Sequence, residues 1–482
     1  MLAIFYSRYK TWVASAAALL ISILIFIFFS SWKYDDPFIT YRYAANLAIG
    51  QGFVYNAGEH ILSTTTPLFT LLLASAAWLT GKHDALPITA NLIGALSLGA
   101  GGLMLWRLGE IWQAPLAGWT GLILYPTFPL LVNTLGSETP LYLALCLGAL
   151  TCYVHEHPNS AALLAALATL VRPDGVLVGV VLLGDALIVK RKNLQWKTLA
   201  FFCLPLLLWV VFSWSYFGSP IPVTLAVKQS QAGLENAETF APGLWRILTW
   251  FKSWQYGFAL ALALAGVGSL YFLNRKWLLL LGWTITYFIG YSLLGVSSYF
   301  WYYAPLVPGF IALIGLGLEA VKRIKLRVHF DRPNASMILQ IVTAVVLAFL
   351  LLTQFKSLQG LLLRPDNRID IYTQVGNWLN KNTPEHISVG CLETGIIGFY
   401  AQRRMIDFAG LLYPDIAHSL QGSSTFEDSA RYALEHYHPE VVVLQEGLFP
   451  ALEKDYLASV CRPMSRFQED SYPYPLVIYN CQ

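Results

Sequence analysis

Long apolar segments separated by short polar loops fill most of the chain. A helix needs about 20 apolar residues to cross the hydrocarbon core of a bilayer. Allowing shorter segments where two of them form a pair, we predict about eleven spans, near residues 11–30, 86–106, 114–132, 140–154, 160–171, 176–189, 199–217, 255–273, 277–294, 300–318 and 338–352. Residues 67–79 are also apolar but few, and we expect them to lie on the outer interface.

The basic loops orient these spans, because loops rich in Lys and Arg stay on the cytoplasmic side. Arg8 and Lys10 place the N-terminus in the cytoplasm, and the other basic runs then fall inside as well, at residues 190–192, 274–276 and 322–327. If residues 67–79 were a full span, every later loop would invert and this agreement would be lost. We therefore predict a multi-pass protein of the plasma membrane, with residues 32–86 as a long first outer loop.

The pattern changes near residue 356, where the long apolar segments end. Residues 371–380 have apolar positions at helical spacing, and residues 386–390 and 441–444 are short β-branched runs typical of strands. We predict a transmembrane domain over residues 1–356, followed by a soluble extracytoplasmic α/β domain over residues 357–482.

Composition agrees with a membrane protein, since 56% of the residues are hydrophobic and only 12% are charged, against about 25% charged residues in soluble domains. The formal net charge of +3 gives no indication of a nucleic-acid partner. The six cysteines lack zinc-binding spacing. Cys461 and Cys481 both lie in the tail, and they could form a disulfide if the tail is extracytoplasmic.

Two adjacent carboxylates, Asp35 and Asp36, come directly after the first apolar segment. Ionised groups next to a membrane are costly to place and are usually functional. Either side chain could act as a general base, hold a metal ion, or cap the helix that begins at Pro37. Adjacent helical residues point about 100° apart, so one can cap while the other works. The sequence does not decide between them.

Further polar residues fall at the predicted outer ends of the spans. The candidates for substrate binding are Tyr41, Arg42, Glu138, Arg172, Asp174, Lys228 and Tyr302. Cations among them could stabilise a departing phosphate, and Asp36 and Glu138 are candidate ligands for a divalent cation such as Mg²⁺, Mn²⁺ or Ca²⁺. Each candidate also has a plain structural explanation: an interface anchor, a helix cap, an Arg172–Asp174 pair, a solvated lysine or an interfacial aromatic belt.

Several of these residues belong to motifs that resemble a known superfamily. Examples are Asp35-Asp36-Pro37-Phe38, Arg172-Pro173-Asp174-Gly175 and Glu393-Thr394-Gly395, within residues 35–44, 46–47, 50–56, 58–59, 66–68, 136–142, 172–175, 378–379, 393–400 and 406–411. Together they resemble the GT-C superfamily of polytopic membrane glycosyltransferases, and most closely its mycobacterial terminal β-(1→2) arabinofuranosyltransferase group.

The resemblance implies a GT-C fold and an inverting transfer, on the outer face, of a hexosyl or pentosyl group from a polyprenyl-phosphate donor. Asp35 or Asp36 would be the base, and the acceptor would be a glycan, lipid or protein. Some members of the superfamily use a divalent cation and others do not. The chain departs from the usual pattern at residues 61–64 and 301–303, which bear on donor-phosphate and acceptor contacts.

Two other interpretations compete with glycosyl transfer. A transporter or flippase for lipid-linked sugars would place ionisable groups near the midplane and often shows paired repeats, whereas these spans are nearly free of charge. A binding module on an inert anchor would need far fewer than eleven spans.

Overall fold

The computed structural model describes residues 2–191, 193, 195–234, 237–272, 275–327, 335–419 and 425–481. Up to residue 363 these residues form helices, with the bounds α1 Leu2–Phe29, α2 Pro37–Ala48, α3 Pro67–Thr80, α4 Leu86–Ile111, α5 Pro115–Leu124, α6 Pro129–Val132, α7 Thr139–Val154, α8 Pro158–Val171, α9 Val176–Gly184, α10 Trp196–Phe217, α11 Val223–Gln231, α12 Phe240–Leu248, α13 Trp254–Phe272, α14 Leu278–Leu294, α15 Val307–Arg327 and α16 Ala335–Leu363.

Proline opens many of these helices, as the sequence pattern leads one to expect. Pro37, Pro67, Pro115 and Pro158 each occupy the first position of their helix, where a missing backbone N–H costs no hydrogen bond and the fixed φ suits the helix.

Each of the predicted spans is helical. Among the described residues, six stretches are long and apolar enough to cross a membrane: Tyr9–Phe29, His83–Ile111, Trp196–Phe217, Arg275–Leu294, Phe300–Val321 and Met337–Asn382. The remaining predicted spans correspond to the shorter helices α5, α7, α8, α9 and α13. The chain is therefore an α-helical membrane protein, while the number of complete crossings stays a prediction.

The paired short helices α8 and α9 meet at a tight turn, Pro173–Gly175. A Cβ on Gly175 would lie 2.4 Å from the carbonyl carbon of Ala168, so the two helices can come this close only because residue 175 lacks a side chain. This turn brings Arg172 and Asp174 to the same end of the pair.

Helix α3 has the features expected of an interfacial helix. It packs on α2 and α8, while Trp78 and Leu79 near its end are 70% and 75% exposed. Its position in a membrane stays a prediction.

The tail forms a five-stranded sheet with helices around it. Its elements are α17 Arg368–Asn382, β1 Ser388–Cys391, α18 Ile396–Ala401, β2 Arg404–Asp407, α19 Pro414–Ser419, α20 Phe426–Tyr437, β3 Val441–Gln445, α21 Pro450–Leu452, α22 Ala458–Val460, β4 Arg462–Glu469 and β5 Tyr472–Asn480. The strand order is β2-β1-β3-β5-β4. Strand β1 is parallel to β2 and β3, and β5 is antiparallel to β3 and β4.

The sequence predicted strands β1 and β3 and helix α17, but not β2, β4 or β5. The disulfide between Cys461 and Cys481, which the sequence left open, is present, and it joins the open end of the β4–β5 hairpin. Helix α16 continues to Leu363, beyond the predicted domain boundary at residue 356.

The tail packs directly on the first loop through aromatic side chains. The ring centre of Phe38 in α2 lies 5.4 Å from that of Phe399 in α18, and the ring centre of Tyr41 lies 6.3 Å from that of Phe399. One buried hydrophobic cluster therefore includes both segments, and the tail covers the region around Asp35 and Asp36.

Candidate active site

Asp35 holds the tail on the first loop. Its carboxylate accepts hydrogen bonds from the backbone N–H groups of Gly395, at 3.3 Å, and Ile396, at 2.7 Å, at the start of α18. Burial, followed by the negative charge of Glu393, raises the pKa of Asp35 to about 8. Asp35 thus caps the tail helix α18, a contact that the sequence did not predict, and its assignment as a catalytic base stays a prediction.

Asp36 is half-buried, and its side chain makes no hydrogen bond or ion pair to any described residue. It precedes α2 without capping it. Burial raises the pKa of Glu138 and of Glu393, and the charge of Asp36 adds to both shifts. The Asp36 carboxylate therefore lies near both of these acids.

Lys228 supplies a buried cation opposite Asp36. This residue of α11 is only 6% exposed, and its Nζ lies 3.9 Å from the ring centre of Tyr299. Burial lowers the pKa of Lys228, but Tyr299 and Asp36 outweigh this effect and leave it raised. Within the described residues the ammonium has no carboxylate within salt-bridge distance, which is an unusual state for a buried charge.

Arg172 is the centre of a second polar group. Its Nη2 lies 2.9 Å from Asp174 Oδ2 and its Nη1 3.4 Å from Glu138 Oε1. It also donates to Thr139 Oγ1 and to the Tyr291 hydroxyl. The predicted Arg172–Asp174 pair is thus present, and Arg172 additionally holds Glu138, a contact that the sequence did not predict.

The substrate-binding assignments of Arg172 and Asp174 stay predictions, since contacts within the protein do not test them. A buried guanidinium must have its donors satisfied, and here protein oxygens take them. Asp174 also accepts from the Tyr291 hydroxyl at 2.8 Å. In this structure Arg172 links Asp174 to Glu138.

The substrate-binding assignments of Tyr41 and Arg42 also stay predictions, and in this structure both side chains bind protein oxygens. The Tyr41 hydroxyl donates to Gly136 O at 2.6 Å. Arg42 donates to three carbonyl oxygens, on Tyr55, Gly398 and Arg403, and its guanidinium lies 4.3 Å from the Tyr55 ring centre. Arg42 therefore ties the first loop to the tail, and neither residue has donors left for a substrate.

Aromatic rings line the space between these groups. Trp301 stacks on Tyr299, with ring centres 4.6 Å apart, and on Tyr34, at 5.8 Å. Tyr302, a predicted substrate-binding residue, lies half-buried with its ring centre 5.8 Å from the Arg172 guanidinium carbon. We call the space bounded by Asp36, Glu138, Lys228, Tyr302 and the tail loop at Glu393 the outer cleft.

Glu393 is the member of the outer cleft that sequence reasoning missed. It follows β1, and its Oε1 lies 3.3 Å from Arg368 Nη1, while Arg368 also pairs with Asp366. The sequence did contain a sign of its importance, since Glu393 begins the motif Glu393-Thr394-Gly395 and follows a predicted strand. The position of Glu393 near Asp36 depends on packing between segments more than 350 residues apart, which no local pattern encodes.

The predicted metal ligands Asp36 and Glu138 do not form a cation cage. Among the described residues, no three His, Cys, Asp or Glu side chains come together in a way that could hold a metal ion. Glu138 is already paired with Arg172. Asp36 and Glu138 stay predicted metal ligands, and no step below depends on a cation.

A membrane helix bundle with a polar cleft at one end, covered by a small α/β tail, is the architecture of the GT-C fold. Over 97% of this chain and 98% of the other, the structure is similar to ArnT from Cupriavidus metallidurans bound to undecaprenyl phosphate, with a TM-score of 0.64 and 15% identity. It is also similar to the Archaeoglobus fulgidus oligosaccharyltransferase in complex with Zn and sulfate, with a TM-score of 0.56, 15% identity and coverage of 96% and 72%. The chain has the GT-C fold.

Sequence comparison gives two further matches. A stretch of 224 residues is 29% identical to the terminal beta-(1->2)-arabinofuranosyltransferase of Mycobacterium tuberculosis, covering 41% of this chain and 35% of that protein. The match thus spans about a third of the curated relative. Residues 363–477 match a family described as a domain of unknown function (DUF8728).

Proposed function

We propose that this protein is an inverting glycosyltransferase that moves a sugar from a polyprenyl-phosphate donor to a hydroxyl group of an extracytoplasmic acceptor. The observation that carries the proposal is the outer cleft itself. It contains a carboxylate without a protein partner, Asp36, and a buried ammonium without a carboxylate partner, Lys228. A base and an anion-binding cation are the two groups that this chemistry needs.

The reaction follows from these two groups. Asp36 takes the proton of the acceptor hydroxyl as the acceptor oxygen forms a bond to the anomeric carbon. The bond from that carbon to the phosphate oxygen breaks on the opposite face, and the polyprenyl phosphate leaves with the electron pair. Lys228 stabilises the departing phosphate. Because attack and departure occur on opposite faces, the anomeric configuration inverts.

An apolar groove supports a lipid-linked donor. A cavity of about 510 Å³ lies between the first loop, α3, α8 and α10, and its lining includes Leu68, Leu71, Leu170, Trp209 and Phe212. Leu170 is two residues from Arg172, which contacts Glu138 of the outer cleft. An isoprenoid chain in the groove would therefore have its phosphate near the outer cleft. The structural neighbour bound to undecaprenyl phosphate supports the same donor class.

The disulfide and the charge pattern support an outer location for the cleft. Disulfides persist in oxidising compartments, and Cys461–Cys481 lies in the tail that covers the cleft. The positions of the basic loops favour the same orientation. The arabinofuranosyltransferase relative makes a pentosyl donor the first to test.

The test is sugar transfer by the purified protein. Undecaprenyl-phosphate donors carrying radiolabelled arabinofuranose or glucose are incubated with a synthetic arabinofuranosyl disaccharide. The proposal predicts that label passes to the disaccharide with inverted configuration while undecaprenyl phosphate is released.

The contradicting result is a donor that is never consumed. If the protein instead moves intact labelled donor across the membrane of proteoliposomes, the transporter interpretation replaces this one.

A further inference from the structure

The central strand of the tail sheet ends at the outer cleft. Strand β1 lies between β2 and β3, and all three strands are parallel. The chain leaves β1 towards β2 and later returns to the other side of β1 as β3. In open parallel sheets, ligands bind beyond the carboxyl ends of the strands at such a switch point. The loop in this place, residues 392–395, contains Glu393.

Glu393 lies two residues before Gly395, whose backbone N–H donates to Asp35, so the loop that carries it borders the outer cleft beside Asp36. Burial raises the pKa of Glu393, while the cations Arg368 and Lys228 oppose this and the charges of Asp366 and Asp36 add to it. Glu393 is thus close to both the proposed base and the proposed phosphate-binding lysine, although it comes from a different domain.

The first loop fixes this part of the tail from both sides. The Tyr55 hydroxyl donates to Thr394 O at 2.6 Å, and Asp35 accepts from the two N–H groups that follow. The loop that carries Glu393 is therefore held in register with Asp36, which comes directly after Asp35. This is the arrangement that a positioned ligand-binding group requires.

Stability does not explain this arrangement. The Glu393 and Arg368 side chains are both 36% exposed, and ion pairs of this exposure contribute little. Carboxyl groups from two distant segments, the Asp35–Asp36 pair and Glu393, instead lie near one another at an electrostatic cost. Acceptors of this kind bind hydroxyl groups well and repel phosphate.

We propose that Glu393 binds the acceptor: its carboxylate accepts hydrogen bonds from hydroxyl groups of a neutral carbohydrate and presents one neighbouring hydroxyl to Asp36. The proposal rests on the proposed glycosyl transfer. Lys228 and the apolar groove serve the donor, so the tail side of the outer cleft is left for the acceptor. The acceptor class is therefore an uncharged glycan end with adjacent hydroxyls.

The experiment measures steady-state kinetics with undecaprenyl-phosphate arabinofuranose and the synthetic arabinofuranosyl disaccharide. Glu393→Gln is expected to raise the KM for the disaccharide by roughly ten-fold or more, because a charged hydrogen-bond acceptor is lost. The KM for the donor should remain that of the wild type. Glu385→Gln is the matched control, since this exposed glutamate lies at the opposite end of β1, and it should leave both constants unchanged.

Three results would overturn the assignment of Glu393. They are an unchanged KM for the disaccharide, a raised KM for the donor, or a fall in kcat alone. If Glu393→Gln does not fold, Glu393→Asp serves instead, with an expected intermediate rise in the KM for the disaccharide. A wild-type protein that transfers no sugar contradicts the proposed function and this inference together, whereas an active wild type with an unaffected Glu393→Gln variant contradicts the inference alone.

Discussion

Asp35 and Asp36 are adjacent in the chain, yet their carboxylates face different parts of the molecule. The first accepts two backbone N–H groups of the tail, and the second has no protein partner among the described residues. Because adjacent residues near a helix start point in different directions, one dipeptide can both join two domains and supply a reactive group.

A substitution of Lys228 tests the role proposed for a single side chain. Lys228→Met should lower kcat/KM for the donor by about 10²-fold or more, because the departing phosphate loses its charged partner. The measurement is release of undecaprenyl phosphate from a labelled donor. Lys252→Met is the matched control, since this exposed lysine lies in the same predicted outer loop, and it should behave like the wild type. Wild-type kinetics for Lys228→Met would contradict the proposed role.

At the scale of elements, the contact between the first loop and α18 is the joint on which the site depends. Arg42 supplies buried donors to carbonyl oxygens of the tail, and Gly398 of α18 allows the close approach, since a Cβ there would lie 3.1 Å from Arg42 Nη1. The tail is therefore part of the site rather than a separate module.

Arg42→Met should destabilise this joint by about 3 kcal/mol, because it leaves buried carbonyl oxygens without donors. Arg404→Met is the matched control. Arg404 also links the tail to the first loop, through Glu59, but its side chain is 46% exposed, so its loss should cost under about 1 kcal/mol. Unfolding in detergent and limited proteolysis of the tail measure both effects. Equal losses in the two variants would show that the joint does not depend on Arg42.

Asp35 makes the joint sensitive to pH. Its pKa is raised to about 8 by burial and by the charge of Glu393, against about 3.9 in an unfolded chain. Between these two pH values the folded state keeps a proton on Asp35 that the unfolded state has lost. The stabilisation of the folded state by this proton is therefore complete below about pH 4 and is lost as the pH rises to about 8.

The expected result is a wild-type unfolding temperature that falls between about pH 5 and pH 8, as this linkage requires. Asp35→Asn, which does not titrate, should show a smaller fall. Parallel curves for the two proteins would contradict the raised pKa.

Sequence reasoning recovered what local patterns encode. Apolar length predicted the helices, and β-branched runs predicted β1 and β3. The two tail cysteines made a disulfide possible without deciding it. Strand β4 was missed because it is a largely exposed edge strand without apolar alternation. The roles of Arg42 and Glu393 were missed because both depend on packing between the two ends of the chain.

At the scale of the whole molecule, all the residues with a proposed role in catalysis or substrate binding lie at one end of the helix bundle. The first loop, the α8–α9 turn, α11 and the tail all contribute to the outer cleft, and the basic loops lie at the other ends of the helices. This distribution suits a donor whose lipid stays in the membrane while its sugar projects outwards.

The orientation can be tested with cysteine chemistry in intact cells. With the free cysteines at 146, 152, 203 and 391 replaced by alanine, Cys461 and Cys481 should react with an impermeant maleimide only after an impermeant reductant is added. A cysteine introduced as Gln195→Cys, in a predicted inner loop, should react only in permeabilised cells. The opposite pattern would invert the predicted topology.

The most direct test of the account compares Asp36→Asn with Asp35→Asn in the sugar-transfer assay, using variants that remain folded. We predict that Asp36→Asn lowers kcat by about 10²- to 10⁴-fold, as expected for loss of a general base, with wild-type thermal stability. Asp35→Asn should keep most of the activity and change the pH dependence of unfolding. An active Asp36→Asn variant beside an inactive, folded Asp35→Asn variant would contradict the assignment of the base.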